Sequence, residues 1–95
     1  MAEIELNADT ILSIPAPVMS RLVGDETVLL DLASGIYFGL DGVGQRVWES
    51  VAEGKRLGEI AAIIASEFEV DEEQAFSDLI DFTRDLAGRG LLEAG

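Results

Sequence analysis

The hydrophobic pattern of this chain changes its period at Asp41, and this change limits the possible folds more than any other feature. The segment from Val18 to Leu40 contains three short runs rich in β-branched and aromatic residues, separated by Gly24-Asp25 and by Ala33-Ser34-Gly35. Such runs between short glycine-containing breaks are typical of β-hairpins. Because connections this short join antiparallel neighbours, the pattern predicts a three-stranded antiparallel meander.

The third predicted strand, Ile36–Leu40, has two different faces. Side chains alternate across a strand, so Ile36, Phe38 and Leu40 share one face while Tyr37 and Gly39 share the other. The first face is the more apolar one, and we predict that it contacts the core.

After Asp41 the period becomes helical, and three helices are predicted. Asp41 could cap the first helix and Gly54 could end it. The third helix begins at Asp71, with Gln74 three residues on as in a capping box, and runs to about Ala87. The apolar stripes of the first two helices are Val43, Val47, Trp48 and Val51, and Leu57, Ile60, Ile63, Ile64 and Phe68. The expected fold class is α+β, winged helix-turn-helix-like, with a three-stranded antiparallel sheet followed by three helices.

The chain is long enough for one domain, which we place at residues 14–95 behind a flexible N-terminal tail, residues 1–13. The tail carries Glu3, Glu5 and Asp9 without a basic residue, unlike a signal peptide. The apolar run Ile60–Ala65 is far shorter than the roughly 20 residues that cross a bilayer. We therefore expect a soluble, cytoplasmic protein.

Composition excludes several function classes. The 95 residues include no Cys and no His, so thiolate and imidazole chemistry are unavailable, and no metal or cofactor is expected. The 19 acidic residues outnumber the 6 basic ones, giving a net charge of -13. This charge opposes binding to nucleic acid and to anionic membrane surfaces.

Three short motifs resemble known sites without matching them. Asp41-Gly42-Val43-Gly44 lacks the lysine and the full spacing of a phosphate-binding loop. Asp71-Glu72-Glu73 has no calcium-loop frame, and its acids suit a helix start. Ser77-Asp78-Leu79 reverses the order found at the phosphopantetheine site of acyl carrier proteins and lies within a helix. We therefore predict a protein that is not an enzyme.

The third strand is the feature that favours binding. It has neither proline nor charge, so either a helix of the domain covers its open edge or a partner strand pairs with it. The third helix has a core stripe of Ala75, Leu79, Phe82 and Leu86, and a second row of Phe76, Ile80 and Thr83 beside it. The second row is either additional core or one wall of a groove along the third strand.

Three segments of the chain form a recognisable combination: Gly35 to Trp48 (GIYFGLDGVGQRVW), Leu57 to Ala61 (LGEIA), and Asp78 to Leu92 with its terminal Gly-Leu-Leu. Together they resemble the PqqD-like family, the leader-peptide recognition elements of ribosomally made, post-translationally modified peptide pathways. The resemblance is strongest to the stand-alone proteins of lasso-peptide clusters, and it covers roughly Ile14 to Glu93.

The resemblance implies that the leader region of a precursor peptide adds as a fourth strand beside the third and lies against the third helix. It also implies that the leader is presented to a leader peptidase or another modifying enzyme. Phe38, Leu40 and Trp48 map to core positions, and Asp78 is the family's acid near the groove. The peptide contacts that it implies are Ile36, Tyr37, Phe38, Gly39, Leu40, Ala75, Phe76, Asp78, Leu79, Ile80 and Thr83.

Two alternatives remain open at the level of sequence. A winged-helix DNA-binding regulator would share the architecture, although a shared fold does not establish a shared site. A structural subunit of an enzyme is also compatible with the sequence.

Overall fold

The computed structural model describes residues 5–94 and confirms the α+β arrangement, a three-stranded antiparallel sheet followed by three helices. A short two-stranded sheet joins the two ends of the described chain. In chain order the elements are β1 (Leu12–Ser13), β2 (Val18–Val23), β3 (Glu26–Asp31), β4 (Ile36–Leu40), α1 (Gly42–Ala52), α2 (Leu57–Glu67), α3 (Glu72–Gly88) and β5 (Glu93–Ala94).

The main sheet has the strand order β2-β3-β4, as expected for a meander. Its two turns contain Gly24 and Gly35, whose φ angles of 63° and 75° lie in the left-handed region that favours glycine. Asp31 stabilises the second turn, because its side chain accepts hydrogen bonds from the Ala33 amide and the Ser34 hydroxyl. The meander therefore leaves β4 at one edge of the sheet.

The helices begin and end close to the predicted residues. At the start of α3, the Asp71 side chain accepts a hydrogen bond from the Gln74 amide at 3.4 Å, as the capping pattern predicts. Asp41 occupies the N-cap position of α1, as predicted, but its side chain makes no capping hydrogen bond. None of the three helices has the length and apolar character that crossing a membrane requires, as far as residues 5–94 are concerned.

The core lies between the inner face of the sheet and the three helices. Leu29 and Leu40 contribute from the sheet, and Trp48, which is 3% exposed, occupies the predicted core position on α1. The prediction for the inner face of β4 holds for Leu40 and partly for Phe38, which is half-buried, but not for Ile36. Ile36 is 62% exposed because it begins the strand at the turn.

The N-terminal segment differs from the predicted tail. Residues 1–4 lie outside the described residues, but β1 pairs with β5 and Leu12 is 2% exposed within the core. The carbonyls of Ala8 and Thr10 accept hydrogen bonds from the amides of Gly58 and Leu57, both at 2.9 Å. These two amides belong to the first turn of α2 and have no hydrogen-bond acceptor within the helix. The N-terminal segment therefore satisfies two N–H donors that would otherwise depend on solvent. Residues 5–13 therefore pack as part of the domain.

Candidate functional site

The outer edge of β4 pairs with no other strand in the described part of the chain. The only strand hydrogen-bonded to β4 is β3, and the C-terminal strand β5 pairs with β1 instead. The edge therefore keeps a row of backbone N–H and C=O groups that a further strand could use. The sequence allowed either a helix of the domain or a partner strand at this edge, and the structure fits an edge that is free for a partner strand.

Helix α3 presents two different flanks on either side of its buried stripe. The stripe consists of Ala75, Leu79, Thr83 and Leu86, each at most 4% exposed. Its one hydroxyl is satisfied inside the helix, because Thr83 donates to the Leu79 carbonyl at 2.7 Å. Since residues three and four apart share a helix face, Phe76 and Ile80 lie on one flank and Asp78, Phe82, Asp85 and Arg89 on the other.

The flank that includes Phe82 and Arg89 lies against β4. A methyl group at Gly44 would lie 3.2 Å from the Phe82 Cζ atom and 3.5 Å from Leu40 Cδ2, so the glycine leaves room for the Phe82 ring beside Leu40. Further along, the Arg89 guanidinium lies 5.0 Å above the centre of the Phe38 ring, within the range of cation–π attraction. We call Phe82 and Arg89, the C-cap residue of the helix, the strand-facing row of α3.

An apolar cleft of about 280 Å³ continues from this row between the helices. Its only charged lining residue is Asp78, whose carboxylate accepts a hydrogen bond from the Gln74 side-chain amide at 2.9 Å. The cleft therefore combines an apolar surface with one acidic group at its side. Its lining residues are Val43, Gly44 and Val47 of α1, Ile64, Phe68 and Val70 in and after α2, and Ala75, Asp78, Leu79 and Phe82 of α3.

An ion pair fixes two walls of this cleft relative to each other. Arg46 of α1 donates from Nε to the Glu67 carboxylate at the end of α2, at 3.0 Å. This hydrogen bond, together with the attraction of nearby carboxylates, raises the pKa of Arg46 above its usual value. The pair therefore connects α1 to the end of α2.

The predicted contact residues separate into three groups: residues at the open strand and the cleft, buried residues, and two residues on the other flank of α3. Ile36 to Leu40 form the open strand, and Asp78 lies at the adjoining cleft. Ala75, Leu79 and Thr83 are buried, so they support the site more than they offer surface to a ligand.

Phe76 and Ile80 do not line the cleft beside β4. Phe76 lines a separate groove with Ala8, Gly58 and Ala61, on the side of α3 that faces α2 and the N-terminal segment. Ile80 is half-buried against the core on the same flank. The predicted second row therefore faces away from β4, because α2 and the N-terminal segment pack on that side of the helix.

Sequence reasoning missed the residues that border the strand or line the cleft. Of those near the strand, Phe82 was predicted to belong to the core stripe and Arg89 was not considered. Val43, Phe68 and Val70, which line the cleft, were not considered as site residues either. The spacing of Asp78, Phe82, Asp85 and Arg89, at intervals of four, three and four, could have indicated a common face. It could not have indicated that this face, rather than the other flank, is next to the sheet.

No group of three or more carboxylates within residues 5–94 is close enough together to hold a metal ion. The features that the site does offer are hydrogen-bonding backbone, apolar surface, and the charges of Asp78, Asp85 and Arg89.

Comparison with known proteins places this geometry in context. Residues 26–92 match the model of the family described as Coenzyme PQQ synthesis protein D (PqqD). The solved structure of TbiB1 in complex with the TbiA(beta) leader peptide is 48% identical, with a TM-score of 0.82, over 85% of this chain and 94% of that chain. A lasso peptide synthetase B1 complexed with the leader peptide is 22% identical and shares the fold, with a TM-score of 0.81 over 86% of this chain and 96% of that chain. No curated protein matches the sequence.

Proposed function

Because this chain belongs to the PqqD family, we propose that it binds the leader region of a ribosomally synthesised precursor peptide. The family match confirms the resemblance noted in the sequence. The observation that carries the proposal is the open edge of β4, with an apolar cleft continuing from the adjacent helix row. The chain is also 48% identical in sequence to TbiB1, whose structure was solved with a leader peptide.

In this proposal the leader adds as a fourth strand to β4, with its backbone paired to Ile36–Leu40. One face of the added strand turns toward the strand-facing row of α3. Phe82 and the cleft beyond it accept an apolar leader side chain, and Asp78 accepts a hydrogen bond or a positive charge from a neighbouring one.

The energies explain why an open strand edge needs the cleft. Four or five backbone hydrogen bonds contribute about 0.5–1.5 kcal/mol each. Association costs about 4–15 kcal/mol in lost freedom. Since each apolar side chain buried in the cleft adds roughly 1.5–3 kcal/mol, the cleft supplies most of the affinity and the choice of sequence.

We further propose that the bound leader is presented to a second protein, a leader peptidase or another modifying enzyme, in the cytoplasm. The chain contains neither His nor Cys, so a holding role suits its composition better than a catalytic one. The alternative of a DNA-binding regulator rests on architecture alone, and the net charge of -13 opposes it.

The proposal is tested by titrating a fluorescently labelled leader peptide of the associated precursor and following its anisotropy. We expect saturable binding with a Kd between sub-micromolar and micromolar values. A scrambled leader of the same composition serves as control, because it keeps the charge and removes the order of the side chains. Absence of binding up to high micromolar concentrations would contradict the proposal.

Strand addition makes a second prediction for the same assay. N-methylation removes one backbone donor at a time, and only every second amide of an added strand points toward β4. Leaders methylated at successive positions should therefore alternate between weakened and nearly unchanged affinity. At the sensitive positions we expect the Kd to rise roughly tenfold, because the methyl group removes a hydrogen bond and also clashes with β4. Equal effects at all positions would argue against a paired strand.

A further inference from the structure

The C-terminal end of α3 places a positive charge against the open strand. The Arg89 guanidinium lies 5.0 Å from the centre of the Phe38 ring, and Phe38 belongs to β4. The Nε atom of Arg89 also donates to the Asp85 carboxylate at 3.2 Å. The cation–π contact and this charge-assisted hydrogen bond both favour one orientation of the planar group beside the strand.

Most of the hydrogen-bonding capacity of Arg89 is unused within residues 5–94. A guanidinium has five N–H donors in a fixed fork, and only Nε of Arg89 donates to a described residue. The side chain is 53% exposed, so the remaining donors are available to a ligand. A carboxylate matches this fork, because its two oxygens accept two parallel hydrogen bonds.

The surroundings of Arg89 are otherwise negative. Asp85 lies one turn earlier on the helix, and the last carbonyl groups of α3 carry the partial negative charge of a helix C-terminus. The chain as a whole has a net charge of -13. A carboxylate would therefore be repelled at this end of α3 without Arg89, and Arg89 decides which sign of charge the site accepts there.

The geometry of strand pairing converts this position into a place in the leader sequence. Phe82 lies beside Leu40, and Arg89 lies over Phe38, two residues earlier on β4. We call the apolar leader residue next to Phe82 the anchor. The pairs within the sheet are antiparallel, and antiparallel addition to β4 places the leader residue opposite Phe38 two positions after the anchor. Both leader side chains then share the face toward α3.

Resting on the proposed function, we propose that Arg89 is a specificity-determining residue that binds an acidic leader side chain two positions after the anchor. The preferred leader segment is therefore an apolar residue, one intervening residue, and then Asp or Glu. The intervening side chain points to the opposite face of the sheet, so α3 does not select it.

The experiment compares Arg89→Gln with the matched control Arg84→Gln in the anisotropy titration. Arg84 is exposed and follows Ile80 by four residues, so it lies on the flank of α3 away from β4. Both variants remove one positive charge from the same helix. The anchor is located first, as the leader position whose alanine substitution weakens binding to the wild type but has little further effect with Phe82→Ala. Leaders with Glu or Gln two positions after the anchor, and two positions before it, are then compared.

For the wild type we expect Glu two positions after the anchor to bind about fivefold more tightly than Gln, as for a well-placed charge pair near a surface. Arg84→Gln should keep this ratio. Arg89→Gln should abolish or reverse it, because the leader carboxylate then meets only Asp85 and the helix end. Arg89→Glu should instead prefer Lys over Gln at the same leader position. Each ratio compares two leaders on one protein, so a general loss of stability or affinity cancels.

Three results would overturn this assignment. They are a wild type without a Glu preference, an equal Glu preference in Arg89→Gln, and an equal loss of the preference in Arg84→Gln. An Arg89-dependent preference two positions before the anchor would contradict the stated order and indicate parallel addition. If the wild type bound no leader, the proposed function itself would fail. Leader binding without an Arg89-dependent preference would reject only the role of Arg89.

Discussion

Phe82→Ala is expected to weaken leader binding by roughly 30-fold, which corresponds to about 2 kcal/mol. Phe82 is half-buried between Leu40 and the cleft, where it forms part of the wall next to the open strand. Removing its ring opens the wall and takes away apolar surface that a leader side chain would cover. The measurement is the anisotropy titration, with the free energy of unfolding determined in parallel.

Phe76→Ala provides the matched control for this prediction. Phe76 is also half-buried and lies on the same helix, but it lines the groove that faces α2 and the N-terminal segment. Both variants should lose about 1–3 kcal/mol of stability through lost packing. Only Phe82→Ala should lose leader affinity. If Phe76→Ala weakened binding and Phe82→Ala did not, the leader would lie on the other flank of α3.

The second large effect concerns the stability of the domain. Leu12→Ala is expected to lower the free energy of unfolding by about 2–5 kcal/mol, as for other buried leucines. Leu12 is 2% exposed within the core and belongs to the strand that pairs with β5. For a small domain with a total stability of only about 5–15 kcal/mol, this is a large fraction. Urea unfolding followed by Trp48 fluorescence measures it.

Ile11→Ala separates this effect from a general sensitivity of the segment. Ile11 is the neighbouring residue and a similar aliphatic side chain, but it is 41% exposed. Its substitution should cost less than about 1 kcal/mol, since exposed side chains contribute little packing. A Leu12→Ala protein as stable as Ile11→Ala would show that residues 5–13 behave as the loose tail that the sequence suggested.

The N-terminal segment shows why that boundary was predicted incorrectly. Its acidic residues resemble those of a solvated tail, and the short apolar run around Leu12 is too brief to give a clear periodic signal. What holds the segment is backbone hydrogen bonding to the start of α2 and pairing with β5. Such contacts join residues far apart in the chain and leave no local trace in side-chain type.

Local patterns in the sequence were sufficient for the elements of the main sheet and for the helices. The alternation of apolar residues before Asp41 and their helical spacing after it determined three strands and three helices, because side-chain period follows directly from backbone geometry. The sequence left undecided whether the edge of the third strand is open. Short turns also determined the strand order, since connections of two residues (24–25) and four residues (32–35) join neighbouring antiparallel strands.

Only the tertiary structure decided which flank of α3 borders that strand. Phe76 and Phe82 are chemically identical, and each lies next to the buried stripe of the same helix. Their different surroundings arise because α2 and the N-terminal segment pack on one side of α3 and β4 on the other. The rotation of a helix about its axis is set by the combined packing of distant elements, and no single residue in the helix encodes it.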